Sequence, residues 1–81
     1  MLTEYIQAAM RHAAYKRYDD GTIYGSIEAP GFEGVWANEE TREKTERELR
    51  STLEDWLLLG LQLHHRLPVL DDIDLNASAA A

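Results

Sequence analysis

The chain has 81 residues, of which 15 are acidic and 8 are Lys or Arg, and its formal net charge is −7. A chain of this length forms one domain with a small core, and domains of this size often gain burial by self-association. Cysteine is absent, which excludes a disulfide framework and a cysteine zinc site, and the acidic balance argues against binding to nucleic acid. We therefore expect a homo-oligomer, a dimer or larger, whose partner is a basic protein.

The N-terminal segment, residues 1 to 14, predicts an amphipathic helix over residues 2 to 13. Its apolar side chains recur at helical spacing, and they are Leu2, Tyr5, Ile6, Ala9, Met10 and Ala13. The segment lacks a cationic region followed by an apolar run, so it is not typical of a secretory signal. No stretch of the chain approaches the roughly 18 apolar residues that span a bilayer. We expect the protein to be cytoplasmic.

The next segment predicts a β-hairpin centred on Asp19-Asp20-Gly21, because Asp-Gly provides the positive φ angles that a tight turn needs. In the second strand, small or apolar residues alternate with polar and aromatic ones: Ile23, Gly25 and Ile27 against Tyr24, Ser26 and Glu28. Side chains of a strand point alternately to opposite faces, so the first set is expected in the core and the second outside it.

The stretch over residues 30 to 37 predicts a turn and then a third strand at residues 34 to 37. Pro30 fixes φ at the start of the turn and Gly31 accepts a positive φ. Gly34 is expected to let the strand restart close to its neighbour. The glycines match neither a dinucleotide-binding loop nor a P-loop, so we interpret them as turn geometry.

Two aromatic side chains of this stretch have different expected positions. Phe32 is expected to cover the core. Trp36 fits two places equally well, the core or the outer face of the sheet beside Tyr24.

A second, longer helix is predicted to begin after Thr41, whose hydroxyl can accept a hydrogen bond from a free amide of the first turn. An apolar stripe at helical spacing follows, made of Leu49, Leu53, Trp56, Leu57 and Gly60. Three more leucines widen this stripe beyond what one sheet face needs, and they are Leu58, Leu59 and Leu61. They predict a second contact surface.

The last part of the chain completes the expected α+β fold. Pro68 ends any helix before it, and residues 67 to 70 are expected to form a short final strand. The predicted architecture is an N-terminal helix, then a domain over residues 15 to 70 with a three-stranded antiparallel meander, one long helix packed on the sheet, and that strand. The acidic, alanine-ended tail, residues 71 to 81, has no periodic core signal and is expected to fray at its end.

No set of residues predicts catalysis, a metal site or a cofactor. His64 and His65 are adjacent, so on a helix they point about 100° apart and do not readily share a metal. His12 falls on the polar face of the first helix and is expected to be solvated. Asp19 and Asp20 are interpreted as turn residues, and the serines lack a histidine at a telling spacing. We predict a protein that is not an enzyme and binds neither metal nor cofactor.

These elements, in this order, resemble the HicB-like antitoxin family over residues 15 to 70. The resemblance is carried by YDDGTIYGSI at residues 18 to 27, PGFEGVWA at residues 30 to 37, Thr41, Leu49 to Leu57 with Glu54 and Trp56, and Leu67-Pro68. It implies a partial RNase-H-like fold without the catalytic acids of RNase H. It also implies a partner, a small basic ribonuclease toxin with a double-stranded-RNA-binding-like fold, whose active histidine the antitoxin covers.

The chain departs from the family's pattern in three places. Many members carry a C-terminal DNA-binding domain, and we expect none after Leu70, which puts autonomous operator binding in doubt. Glu33 stands where the family often has a second proline. The N-terminal helix is interpreted as an addition to the minimal fold.

The predicted function is that of the antitoxin in a type II toxin–antitoxin pair. Two alternatives stay open: an orphan oligomeric scaffold of the same fold without a toxin, and a ribbon-helix-helix DNA-binding repressor. Lys16 and Arg17 are the only basic pair in any predicted strand, which argues against the repressor. The residues expected to contact a toxin are Tyr24, Glu28, Phe32 and Trp36. Aromatic anchors beside an acidic residue suit a surface rich in arginine and lysine.

Overall fold

The computed structural model describes residues 1 to 76, in the order α1 (Leu2–Arg11), β1 (Ala13–Arg17), β2 (Ile23–Ile27), β3 (Trp36–Glu39) and α2 (Arg42–Gln62). The three strands are antiparallel in the order β1-β2-β3, and α2 packs across one face of the sheet. The α+β prediction is confirmed. This order also differs from the arrangement that a ribbon-helix-helix repressor needs. None of the helices within residues 1 to 76 is long and apolar enough to cross a membrane.

The turn between β1 and β2 is the predicted hairpin. The amide of Tyr18 donates to the carbonyl oxygen of Thr22 at 2.8 Å, and the amide of Gly21 donates to that of Tyr18 at 2.9 Å. Gly21 has a φ of +87°, which is the conformation that selects glycine here. The carboxylate of Asp20 accepts from both the amide and the hydroxyl of Thr22, at 2.9 and 2.6 Å. The interpretation of Asp20 as a turn residue is thus confirmed.

The turn between β2 and β3 is of type II, as the Pro-Gly pair predicts. The amide of Phe32 donates to the carbonyl oxygen of Ala29 at 3.3 Å, and Gly31 has a φ of +93°. A second turn follows, in which the amide of Val35 donates to Phe32 at 3.0 Å, so β3 begins at Trp36 instead of Gly34. The expected close approach at Gly34 is wrong, because a Cβ there would meet nothing within 4 Å.

Close packing against α2 occurs instead at Gly25, in the middle of β2. A Cβ on Gly25 would lie 2.9 Å from Cγ2 of Thr45, a fully buried residue of α2. The hydroxyl of Thr45 is shared between the carbonyl oxygens of Ile23 and Thr41, each 2.9 Å away. The predicted burial of Ile23, Gly25 and Ile27 on this inner face is confirmed. Thr45 was not expected in the core.

Helix α2 begins and ends with distinct capping arrangements. Thr41 caps the start as predicted, its hydroxyl accepting from the amide of Lys44 at 3.1 Å. At the end, the amide of His65 donates to Gly60 at 2.9 Å and that of His64 to Leu61 at 3.3 Å. His64 has a φ of +56°. This is a Schellman motif with histidine in the position that usually holds glycine.

The C-terminal segment, residues 63 to 76, does not form the expected final strand. Among the described residues there is only an isolated bridge between Leu70 and Ile73. Asp71 and Asp72 between them have φ angles of +47° and +65°, which makes a tight turn of type I′. A two-residue turn reverses the chain at once, so no strand extends along the sheet.

The same segment contributes to the core, and Leu75 does so although the tail has no periodic core signal in the sequence. Its buried side chains are Leu67, Leu70 and Leu75. The side-chain amide of Asn76 accepts from the amide of Leu67 at 2.8 Å and donates to its carbonyl oxygen at 2.6 Å. The fraying predicted for the end of the tail concerns residues 77 to 81, which lie outside the described residues.

Helix α1 closes the core from the other end of the chain. Tyr5, Ala8 and Ala9 are fully buried, and the hydroxyl of Tyr5 donates to the carbonyl oxygen of Pro68 at 2.5 Å. His12 is not simply solvated, because its Nε2 atom lies 3.0 Å from a carboxylate oxygen of Asp71. One core therefore draws on α1, the sheet, α2 and the C-terminal segment.

Candidate protein-binding face

The outer face of the sheet carries a row of stacked aromatic rings. The rings of Tyr18 and Tyr24 have centroids 5.5 Å apart and lie 11° from parallel. Those of Tyr24 and Trp36 are 5.9 Å apart and 21° from parallel. The row therefore runs from the β1–β2 turn, across β2, to the start of β3. We call these three residues the aromatic row.

Strand register explains why these rings meet. Tyr24 lies between Lys16 of β1 and Asn38 of β3, and the neighbouring outward position pairs Ser26 with Trp36. Side chains diagonal to one another on a strand pair come within reach when they are aromatic. The register thus decides the open question about Trp36, which lies on the outer face beside Tyr24 with 51% of its surface exposed.

A chain of polar contacts fixes the end of this face nearest the hairpin turn. The side-chain amide of Asn38 donates to the hydroxyl of Thr22 at 2.9 Å, and that hydroxyl donates to Asp20 at 2.6 Å. The side-chain hydrogen bond from Thr22, followed by the one from its amide, lowers the pKa of Asp20. Asp20 therefore keeps a negative charge at the rim of the aromatic row, and the contacts join the turn to β3.

The charges around the face are one cation beside its centre and carboxylates at its edges. Lys16 is the cation on the outward side of β1, opposite Tyr24. Asp19 and Asp20 lie in the exposed turn. At the other end Glu28 is exposed. Its amide donates to the carbonyl oxygen of His12 at 2.9 Å, which extends the pairing of β1 and β2 by one residue. Such a face provides ring surfaces and carboxylates for contact.

The four residues predicted to contact a partner do not all lie on this face. Tyr24 and Trp36 form part of the aromatic row, and Glu28 lies at its edge on the same side of β2 by alternation. Phe32 is 1% exposed and packs between Tyr5 and Trp56, with ring centroids 6.3 and 5.1 Å away. It is a core residue and cannot be part of an exposed contact surface.

Tyr18 belongs to the row but was missed as a candidate. It is 42% exposed and follows β1, where the chain enters the turn. The signal that could have identified it is its position two residues after Lys16, on the same side of the hairpin as Tyr24. A tyrosine flanking the Asp-Asp-Gly turn is therefore within stacking distance of the paired strand.

Little else on the described chain is arranged for chemistry. Within residues 1 to 76, no three His, Asp or Glu side chains converge as metal ligands would. His64 and His65 are both exposed beyond the end of α2. The aromatic row presents three stacked rings with carboxylates at its edges, which are groups that another molecule can contact.

Comparison with known proteins agrees with this fold. The crystal structure of TTHA0281 from Thermus thermophilus is similar over 91% of this chain and 90% of that chain, with a TM-score of 0.82 and 36% sequence identity. No curated protein matches the chain significantly. A model of the UPF0150-like family matches residues 4 to 68, a range that begins within α1 and ends at Pro68. The match includes residues 4 to 11 of α1, and the chain belongs to the UPF0150-like family.

Proposed function

We propose that this protein is an antitoxin that binds and masks a small basic ribonuclease toxin, and that the aromatic row is its contact surface. The observation that carries the proposal is a row of three stacked, partly exposed rings on a strongly acidic protein. The UPF0150-like family is associated with HicB-like toxin–antitoxin proteins, which supports the same function.

The chemistry of the face suits a partner rich in arginine. A guanidinium group stacks on the face of Trp or Tyr and is attracted by the ring's negative face, with about 0.5 to 2 kcal/mol per contact. Trp36 offers the largest exposed ring, and Glu28 and Asp20 stand at the edges of the row. Arginines that stack on the rings can therefore also pair with carboxylates.

The overall charge favours this partner over RNA. A net charge of −7 accelerates the approach of a basic protein and opposes the approach of a polyphosphate. An antitoxin with such a surface can cover the toxin's active site and does not itself bind the toxin's RNA substrate. The protein then acts by binding and carries out no catalysis of its own.

The test is co-expression with the product of the adjacent gene. We expect a complex that copurifies, rescue of growth, and loss of RNA cleavage in vitro. Trp36→Ala should weaken the complex by about 2 kcal/mol, roughly thirtyfold in Kd, as expected for a central aromatic anchor. Glu28→Lys should weaken it too, because it places a cation opposite a basic surface.

Val69→Ala is the matched control, since Val69 is 54% exposed but lies in the C-terminal segment. Binding that is weakened equally by Trp36→Ala and Val69→Ala would show that the contact surface is elsewhere. Absence of both complex and rescue would refute the antitoxin function. The orphan scaffold would then be the better account.

A further inference from the structure

The outward side of α2 carries two adjoining grooves that meet at one leucine. The first, of about 290 Å³, lies between α1 and α2 and is lined mainly by leucine and isoleucine, with two acids at its rim: Leu2, Ile6, Leu57, Leu58, Leu61, Glu54 and Asp55. The second, of about 220 Å³, lies at the C-terminal end of α2 and contains Leu61, His64, His65, Arg66, Leu75 and Asn76. Leu61 lines both.

The leucines between the grooves are exposed. Leu58 is 54% exposed, and Leu61 and Leu2 are 39% and 42% exposed. All three line the groove between α1 and α2, Leu2 from α1 and the other two from α2, where they are about one turn apart. This is a contiguous apolar surface on a domain whose core is small.

Charge is ordered along this surface. Glu54 and Asp55 stand at one end, and Arg66 stands at the other, with no Lys or Arg between Arg50 and Arg66. Among the described residues, no ion pair involves Glu54, Asp55 or Arg66. The surface therefore has an acidic end, an apolar middle and a basic end, and neither charged end forms an ion pair within residues 1 to 76.

A surface of this kind is complementary to itself. In a two-fold contact, each feature must find its complement on the same patch of the second copy. Arg66 follows the turn that ends α2 at Gln62, and the exposed Leu58 and Leu61 lie between Glu54 and that end of the helix. Two α2 helices that run antiparallel therefore bring the C-terminal end of one copy, with Arg66, toward Glu54 of the other.

We propose that a second copy of this chain occupies the two grooves, forming a two-fold dimer through antiparallel α2 helices. Leu58 and Leu61 of each copy pack into the acid-rimmed groove of the other. Glu54 and Arg66 pair at both ends of the contact. The dimer leaves the aromatic row free, because that row lies on the opposite side of the sheet from α2.

The first experiment measures self-association by sedimentation equilibrium. Leu58→Gln should weaken dimerisation by about tenfold or more, because it loses apolar burial in both halves of the contact. Leu59→Gln is the control, since Leu59 is equally exposed at 54% but lies on the other flank beside Trp56. Equal effects of the two changes would refute the proposed surface, as would a monomeric parent chain.

The second experiment exchanges charges. Glu54→Lys and Arg66→Glu should each weaken self-association by about tenfold or more, because each places like charges together at both ends. An equimolar mixture of the two single variants should associate again, since the introduced lysine of one chain then faces the introduced glutamate of the other, and the native Arg66 faces the native Glu54. The double variant should also dimerise. Circular dichroism confirms that each variant is folded.

The mixture separates the proposed pairing from other dimers. A contact in which Glu54 and Arg66 do not meet gives no recovery when the two variants are combined. That result would overturn the antiparallel arrangement. These measurements require no toxin, so they stand whether or not the antitoxin function is correct.

Discussion

The two faces of the sheet differ most clearly within one strand. Gly25 and Tyr24 are neighbours in β2, yet one points to a face with no room for a methyl group and the other to a face where rings stack in the open. The inner face is closed by α2 through Thr45, whereas nothing within the described chain covers the aromatic row. Changes on the inner face should therefore cost stability, and changes on the outer face should cost binding.

Gly25→Ala should have the largest effect on stability. Its methyl group would lie 2.9 Å from Thr45 Cγ2 and 3.1 Å from the Tyr15 ring, so α2 or β1 must shift. Thr45 is held by two hydrogen bonds and cannot easily move. We expect the free energy of unfolding to fall by about 1 to 3 kcal/mol in urea denaturation.

Gly34→Ala is the control for that change. The added Cβ meets nothing within 4 Å, so stability should stay constant or rise by about 0.4 to 1 kcal/mol through loss of freedom in the unfolded chain. If the two glycine variants were equally unstable, the close contact between β2 and α2 would not be what limits the inner face.

The buried tyrosine of α1 should make stability depend on alkaline pH. Burial, with a smaller contribution from Asp74, raises the pKa of Tyr5 from 10.0 to about 12. The folded state therefore holds its proton more tightly, so this contribution is complete below pH 10 and is lost as the pH rises from 10 to about 12. The slope is at most about 1.4 kcal/mol per pH unit.

Tyr5→Phe should remove this part of the pH dependence, because phenylalanine has no hydroxyl to ionise. The tyrosines of the outer face remain in both proteins, so the comparison isolates Tyr5. The measurement is the urea midpoint across that alkaline range. Equal slopes for the parent chain and Tyr5→Phe would show that Tyr5 is not the group that titrates.

Thr45→Val should lower the free energy of unfolding by about 1 kcal/mol, because a buried hydroxyl that contacts two carbonyl oxygens is lost while the shape is kept. Thr52→Val is the matched change at a half-exposed position of the same helix. It should leave stability nearly unchanged. Identical losses at both positions would point to helix propensity rather than the hydrogen bonds of Thr45.

Trp36→Ala should have the smallest effect on stability, less than about 1 kcal/mol, because half of the side chain is already exposed and only its stacking on Tyr24 is lost. Thermal and urea unfolding measure this directly. A loss as large as that of Gly25→Ala would mean that the outer face is part of the core, and the contrast between the two faces would disappear.

The features that the sequence predicted correctly are those with local causes. The hairpin at Asp20-Gly21 and the Thr41 cap each depend on residues within four positions of one another. The burial of Thr45 was missed because it has a distant cause. Thr45 packs against β2 and its hydroxyl donates to the carbonyl oxygen of Ile23, which is 22 residues away in the chain. The sequence signal for its burial is a spacing of four from Leu49.

The candidate site shows the same division. Alternation along β2 correctly predicted that Tyr24 points outward. The position of Trp36 depended on the register between β2 and β3, and β3 begins two residues later than expected. Phe32 was expected to cover the core and was also a candidate for the contact surface. Only the three-dimensional position of Tyr5 and Trp56 around its ring shows that the first interpretation holds.

The contact between Tyr5 and Pro68 joins residues 63 positions apart, and this has a consequence for folding kinetics. Closing so long a loop costs chain entropy before the contact returns any energy, so the hairpin and α2 should assemble first. Contacts made after the rate-limiting step affect mainly the unfolding rate. A variant that weakens this junction should therefore fold at nearly the normal rate and unfold faster, which shortens the lifetime of the native state.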